Sequence, residues 1–319
     1  MKKQKFKGLR LRALYGSFRL LRALGLGESA EKAVSRPIAV RKAMRAPGWT
    51  TLPPPADVRT MTETIAGRSG AIAIKKYLPP KLNPKCPRVL FLHGGGWIHG
   101  GLDTLDHLCA SVSLQAQCMI ASVDYRLAPE TPFPGGLEDC DDALNWFASD
   151  PSLGPMPAAG IVVMGESAGG NLAAALCVLC ARRGNPTIAH QILIYPALDA
   201  TLSSESWDSI DQPGLEKHNA PRLLDMYRGN AELTDPLLSP LFAENLAALP
   251  PALILTADID PLRDDGARFA RKLKDAGVRS RYVNYLGMPH GFFFIPRIAA
   301  AAKEGIAEIS KEIASLAKR

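Results

Sequence analysis

No stretch of apolar residues in this 319-residue chain approaches the roughly 20 needed to cross a bilayer, so no integral membrane segment is expected. A secretory signal is not expected either. Its core would need roughly 7 to 15 uninterrupted apolar residues, and arginines break every such run in the opening MKKQKFKGLRLRALYGSFRLLRALGLG. Cysteine is sparse: the six are scattered, and no pair has a second metal-ligand pair elsewhere. Cys177 and Cys180 form a lone CxxC inside the apolar helical pattern NLAAALCVLCA. They read as small buried hydrophobes in a reducing compartment rather than as a zinc or redox site, which points to the cytoplasm. Internal repeats and low-complexity tracts are absent as well.

A chain-wide basic face is also missing, although the net charge is +7. Residues 1 to 50 carry 13 Lys and Arg against 2 Glu, a net of +11, so the rest of the chain carries 7 − 11 = −4. Nucleic acid is therefore not an expected partner, and only the N-terminal segment could form a basic surface. There Leu11, Leu14, Tyr15, Phe18, Leu21 and Leu24 recur at helical spacing with Arg12, Arg19 and Arg22 between them, an amphipathic basic helix. Two uses fit it: covering the mouth of a site on the main domain, or lying peripherally on a membrane surface.

What the chain has is enough apolar residue, 47%, to bury a large core. A Pro-rich linker at Pro53, Pro54 and Pro55 marks the start of the main domain. Strands are expected at 71–77, 88–92, 119–123, 160–164, 190–195, 252–257 and 281–285. Helical patterns at 104–117, 138–149, 168–183, 262–276 and 298–317 separate them. Several strands are continuous apolar runs such as RVLFL, as strands covered on both faces require. The succession predicts an α/β fold with a mostly parallel sheet between helical layers. Residues 199–248 interrupt the rhythm and read as an insertion.

Gly165-Glu166-Ser167-Ala168-Gly169 is a GxSxG, weak evidence alone but set between an apolar strand and a helix. That is the setting of a nucleophile elbow, where a strained turn exposes the serine oxygen at a helix N-terminus. His93-Gly94-Gly95-Gly96-Trp97 follows another strand. Its glycines would expose backbone N–H groups beside the elbow, so Gly95, Gly96 and Ala168 are the expected oxyanion donors. His93 reads as a structural hydrogen-bonder of that loop. Three histidines follow Ser167. His190 opens a strand, the wrong end of the sheet, and His218 falls in the insertion, leaving His290, just past strand 281–285, as the base. For the acid, Asp258 and Asp260 both follow strand 252–257 and Asp199 follows strand 190–195; position does not separate the first two.

Taken together, HGGGW at 93, YRLAPE at 125, GESAGGNLAA at 165, YP at 195, DPLRD at 260 and PHGF at 289 resemble the hormone-sensitive-lipase-like esterases of the α/β-hydrolase superfamily. The likeness spans about residues 70 to 318. It implies Asp260 as the residue that orients His290, and an N-terminal helical cap that suits residues 1–50 together with 199–248, leaving 51–319 as the catalytic domain. Two departures stand beside the site: Glu166, where many members carry Asp, and Thr131, often His.

The expected activity is serine carboxylesterase chemistry on short to medium acyl esters, with no metal or organic cofactor needed and a small-molecule ester as partner. Self-association as a homodimer is left open. A lactonase or specialised ester hydrolase is the alternative, since the same chemistry opens cyclic esters. A small-molecule receptor on this fold is the non-enzymatic one, disfavoured by the presence of His290.

Overall fold

The computed structural model describes residues 6–23, 32, 34–43, 48–185 and 188–318. Its centre is an eight-stranded sheet in the order β1-β2-β4-β3-β5-β6-β7-β8. The strands are β1 (Arg59–Gly67), β2 (Gly70–Leu78), β3 (Arg88–Leu92), β4 (Ile120–Val123), β5 (Ile161–Glu166), β6 (Ile188–Ile194), β7 (Ala252–Ile259) and β8 (Ser280–Pro289). The β1–β2 and β2–β4 pairs are antiparallel, and every other pair is parallel.

Alternation along each strand explains the apolar runs. Leu90 and Leu92 of β3 enter the core on one face, and Val89 and Phe91 enter it on the other. The same split holds on β5, where Ile161 and Val163 oppose Val162 and Met164. One face is covered by helices spanning Gly135–Ser149, Ala168–Arg182 and Arg263–Asp275, the other by those spanning Asp106–Ala116 and Ala301–Leu316. These five correspond to the expected helices within a few residues. Cys177 and Cys180 pack in the core as part of the Ala168–Arg182 helix. Among the described residues no helix is long and apolar enough to cross a membrane.

Two differences from the sequence reading stand out. β1 was not expected: it is an edge strand whose residues are mostly exposed, and only Ile65 is buried, so it lacks the apolar signal. β8 runs four residues past its expected end, because pairing resumes at Ile259 and Pro289 after a register shift in β7.

Near the N-terminus, a helix at Leu9–Ala23 buries Leu11 and Tyr15 against the second face, with Phe6 stacked on Tyr15. The side chains of Phe18 and Leu21, and all of Leu24, lie outside the described residues. A short helix at Ile38–Lys42 carries Arg41, which is fully buried. Its Nη1 donates to the carbonyls of Ile98 (2.8 Å) and Ala128 (2.9 Å), and its Nη2 pairs with Glu130. Residues 199–248 hold two α-helices, Ser206–Ser209 and Ala220–Arg228, above the carboxyl edge of the sheet, where Leu223 faces Gly96.

Candidate active site

β5 ends at Glu166 and a helix begins at Ala168, leaving Ser167 alone in the turn. Its φ of 55° and ψ of −118° lie where an L-residue is strained by about 1 to 3 kcal/mol. Two glycines make the turn sterically possible. A Cβ on Gly165 would lie 2.0 Å from the Gly169 carbonyl oxygen, and one on Gly169 would lie 2.0 Å from that of Leu92.

From the end of β8, His290 reaches this serine, with Nε2 2.9 Å from Ser167 Oγ. Its Nδ1 lies 2.8 Å from Oδ2 of Asp260, which follows β7 and is fully buried. Asp260 Oδ1 accepts the Leu262 N–H at 2.8 Å, so both carboxylate oxygens are engaged. Asp258 faces elsewhere, its Oδ2 accepting the Gly287 N–H at 3.2 Å. Asp199 is held by Thr201, Ser203 and Arg268. Burial alone would lower the His290 imidazole, but the charge and hydrogen bond of Asp260, with the charge of Glu166, outweigh it and raise its pKa above the ordinary value.

The glycine loop leaves β3 next to the elbow. Because β3 lies between β4 and β5, the chain reverses its direction of travel across the sheet here, and a crevice opens at the carboxyl ends. Gly95 (φ 113°) and Gly96 (φ 59°) adopt backbone conformations that favour glycine. A Cβ on Gly95 would also meet the His99 carbonyl oxygen at 2.3 Å. Gly95 accepts from Ile98 and His99 through its carbonyl, while the N–H groups of Gly95, Gly96 and Ala168 have no acceptor among the described residues. His93 is buried, stacks on Tyr125 and lies 2.8 Å from the Gly94 carbonyl through Nδ1. Burial lowers its pKa to about 4, so it stays neutral and shapes the loop.

Beneath the loop sits Glu166. A Cβ on Gly94 would fall 2.0 Å from its Oε2. Burial pushes this carboxyl up to about 7, against the downward pull of His290 and of hydrogen bonds from Tyr195 and the Gly94 backbone.

Ser167, Ala168 and Gly96 line a cavity of about 60 Å³ whose remaining lining is apolar apart from Asp199, with Trp207, Leu215 and Leu224 contributed by the 199–248 stretch. Trp97 closes one side, its ring stacked on Tyr227 at 4.4 Å. The structure thus brings together Ser167, Asp260, His290, Gly95, Gly96 and Ala168. It leaves His190 buried on β6, 3.5 Å from Glu312, and His218 exposed before the Ala220–Arg228 helix. Gln212, which bonds the backbone of His290 on both sides, was missed: a single Gln in an irregular stretch carries no periodic or motif signal.

A family model described as alpha/beta hydrolase fold matches residues 89–294. The chain is 38% identical over 252 residues to a carboxylesterase of Mycobacterium tuberculosis, NlhH, covering 76% of this chain and 79% of that protein. A carboxylic ester hydrolase of the same organism, LipN, is 37% identical over 283 residues, 85% of this chain and 74% of its own. The solved hyperthermophilic esterase of Pyrobaculum calidifontis superposes with a TM-score of 0.78 at 33% identity, covering 96% of this chain and 93% of that one.

Proposed function

As the chain belongs to the hormone-sensitive-lipase-like esterases of the alpha/beta hydrolase fold and is a serine ester hydrolase, we propose that its catalysis runs through Ser167, His290 and Asp260. The observation that carries this reading is the continuous chain of contacts from Asp260 to His290 (2.8 Å) to Ser167 (2.9 Å) at the cavity wall. Hydrogen-bond partners assign the tautomer: with its proton on Nδ1, donated to Asp260, the ring leaves Nε2 free as an acceptor.

His290 takes the Ser167 proton as Oγ attacks the acyl carbonyl. The Gly95, Gly96 and Ala168 N–H groups receive the negative charge that develops on the carbonyl oxygen. Asp260 holds the imidazole in place and stabilises its protonated form. His290 then gives its proton to the leaving alcohol, the acyl-enzyme remains, and water deprotonated by His290 releases the acid.

The small, mostly apolar cavity supports short to medium acyl groups, about C4 to C8, as the preferred substrates. Residues 1–50 and 199–248 act as the cap of the 51–319 catalytic domain, a reading supported by Leu215, Leu223 and Leu224 at the cavity and by the docking of Tyr15 and Arg41. The N-terminal helix keeps a second, exposed stripe: Leu9 is 82% and Leu20 61% exposed, near exposed Arg10 and Arg12. That stripe supports peripheral contact with an anionic lipid surface. Six buried free cysteines support the cytoplasm as its place.

A panel of p-nitrophenyl esters from C2 to C16, run with lactones and triglyceride emulsions, tests the substrate class; palmitate esters as best substrates would overturn the chain-length reading. A serine-directed phosphonate should label Ser167 alone, located by mass spectrometry. Sedimentation with anionic and zwitterionic vesicles decides the surface contact.

A further inference from the structure

The peptide groups of His290 stand just beyond the sheet. The last paired residue of β8 is Pro289, and Gly291 turns the chain away with a φ of 74°. The N–H and C=O of His290 therefore have no strand to bond, although the residue is nearly enclosed and its side chain only 14% exposed. Buried backbone groups need partners. Here one side chain serves both: Gln212 Oε1 accepts the His290 N–H at 2.7 Å, and Gln212 Nε2 donates to the His290 carbonyl at 3.3 Å. Tyr15, from the N-terminal helix, adds a long 3.5 Å bond to the same carbonyl.

We propose that Gln212 is a positioning residue for His290, through which the 199–248 stretch sets the imidazole between Ser167 and Asp260; this rests on the triad reading above. Gln212 is 4% exposed, so its amide is committed to these bonds rather than to solvent. Only a carboxamide fits the pair of tasks, because it holds a donor and an acceptor side by side. A carboxylate would keep the bond from N–H and set an oxygen against the carbonyl, and an aliphatic chain would make neither bond. The clamp is also tied to the cavity: the Gln212 carbonyl accepts the N–H of Leu215, whose side chain lines the cavity wall.

The experiment compares Gln212→Leu, Gln212→Glu and Gln212→Asn in the full chain, with Ser167→Ala alongside. Readouts are kcat, KM, the pH–rate profile, the rate of phosphonate labelling and the thermal melt. A displacement of about 1 Å at a catalytic group costs on the order of 100-fold. Gln212→Leu should accordingly lose about 10- to 100-fold in kcat and in labelling rate, with KM changed less than about threefold and the acid limb of the pH profile displaced. Gln212→Glu should fall between it and the parent. If Gln212→Leu does not fold, the same comparison is read from Gln212→Glu and Gln212→Asn, which keep one bond or a shortened pair. Folded variants with the parental kcat, labelling rate and pH profile, differing only in melting temperature, overturn the proposal. An active Ser167→Ala overturns the triad reading instead, so the two failures are distinguishable.

Discussion

Oδ2 of Asp260 lies 2.8 Å from Nδ1 of His290, whereas Asp258, two residues earlier, bonds the Gly287 N–H at 3.2 Å and has no hydrogen bond to the imidazole. The pair predicts opposite behaviour on substitution. Asp260→Asn should lower kcat by about 10⁴-fold, because the imidazole loses its tautomer and orientation, while substrate binding stays largely intact. Asp258→Asn should cost about 0.5 to 2 kcal/mol of stability with little change in rate, the worth of one partly buried backbone bond. Steady-state kinetics on both, with denaturant melts, checks the contrast; exchanged phenotypes would make Asp258 the acid.

Glu166 predicts a double pH signature. In the proposed triad the neutral imidazole is the active form, so the rate should fall as pH drops through the raised pKa of His290. Removing the Glu166 charge lets that pKa fall, and Glu166→Gln should move the acid limb of kcat/KM to lower pH. Stability changes too. The folded carboxyl, pushed up to about 7, keeps a proton that the unfolded chain releases above its ordinary 4.5. Its contribution to stability is therefore lost as pH rises from about 4.5 to 7 and is level beyond. Glu166→Gln should gain on the parent across that window, by at most about 3 kcal/mol at 1.36 kcal/mol per pKa unit. Asp265, also raised to about 7 by burial, titrates in both proteins, so the difference between the two curves carries the test.

Arg41 predicts what truncation does. Its fully buried guanidinium supplies the donors for the Ile98 and Ala128 carbonyls and meets Glu130 of the YRLAPE stretch. Arg41→Met leaves those carbonyls without donors, at about 1 to 3 kcal/mol for each buried group. A loss of about 2 to 6 kcal/mol, the sum for the two carbonyls, is expected in urea unfolding. Deleting residues 1–45 removes the same donors along with Tyr15, and should cost folding rather than open the cavity to bulkier esters. A stable truncated enzyme would contradict this.

Gly95→Ala should lower kcat by about 10²- to 10³-fold, the typical worth of one oxyanion donor, because the φ of 113° and the His99 carbonyl 2.3 Å from the new Cβ force the loop to move. Gly277→Ala is the control. That glycine also has a positive φ, 77°, but open space around it, so the change should cost about 1 kcal/mol of stability with the rate untouched.

The reach of sequence reading followed the strength of local signal. Strands buried on both faces announce themselves as apolar runs, as RVLFL does for β3. The exposed edge strand β1, with Thr60, Met61, Thr62 and Thr64 all exposed, does not. Ser167 was legible from its glycines, since Gly165 and Gly169 exist to let backbones approach at distances no Cβ would permit. The approach of His290 to Ser167 was legible by elimination, because only one histidine after Ser167 follows a strand at the carboxyl edge.

The sequence by itself determined the sheet class, the strained turn at Ser167 and the glycine loop after β3, because each is written in residues adjacent along the chain, where backbone sterics and side-chain period act directly. It did not choose between Asp258 and Asp260. Residues two apart share a face in a regular strand, and the register shift in β7 between Ala257 and Ile259 that separates them arises only when β8 pairs alongside. Nor did it reveal Gln212 at His290, 78 residues away. That contact depends on where an irregular stretch lands over the sheet edge, and tertiary packing alone decides it, since a buried peptide group at the end of a strand takes whichever donor and acceptor the fold brings within reach.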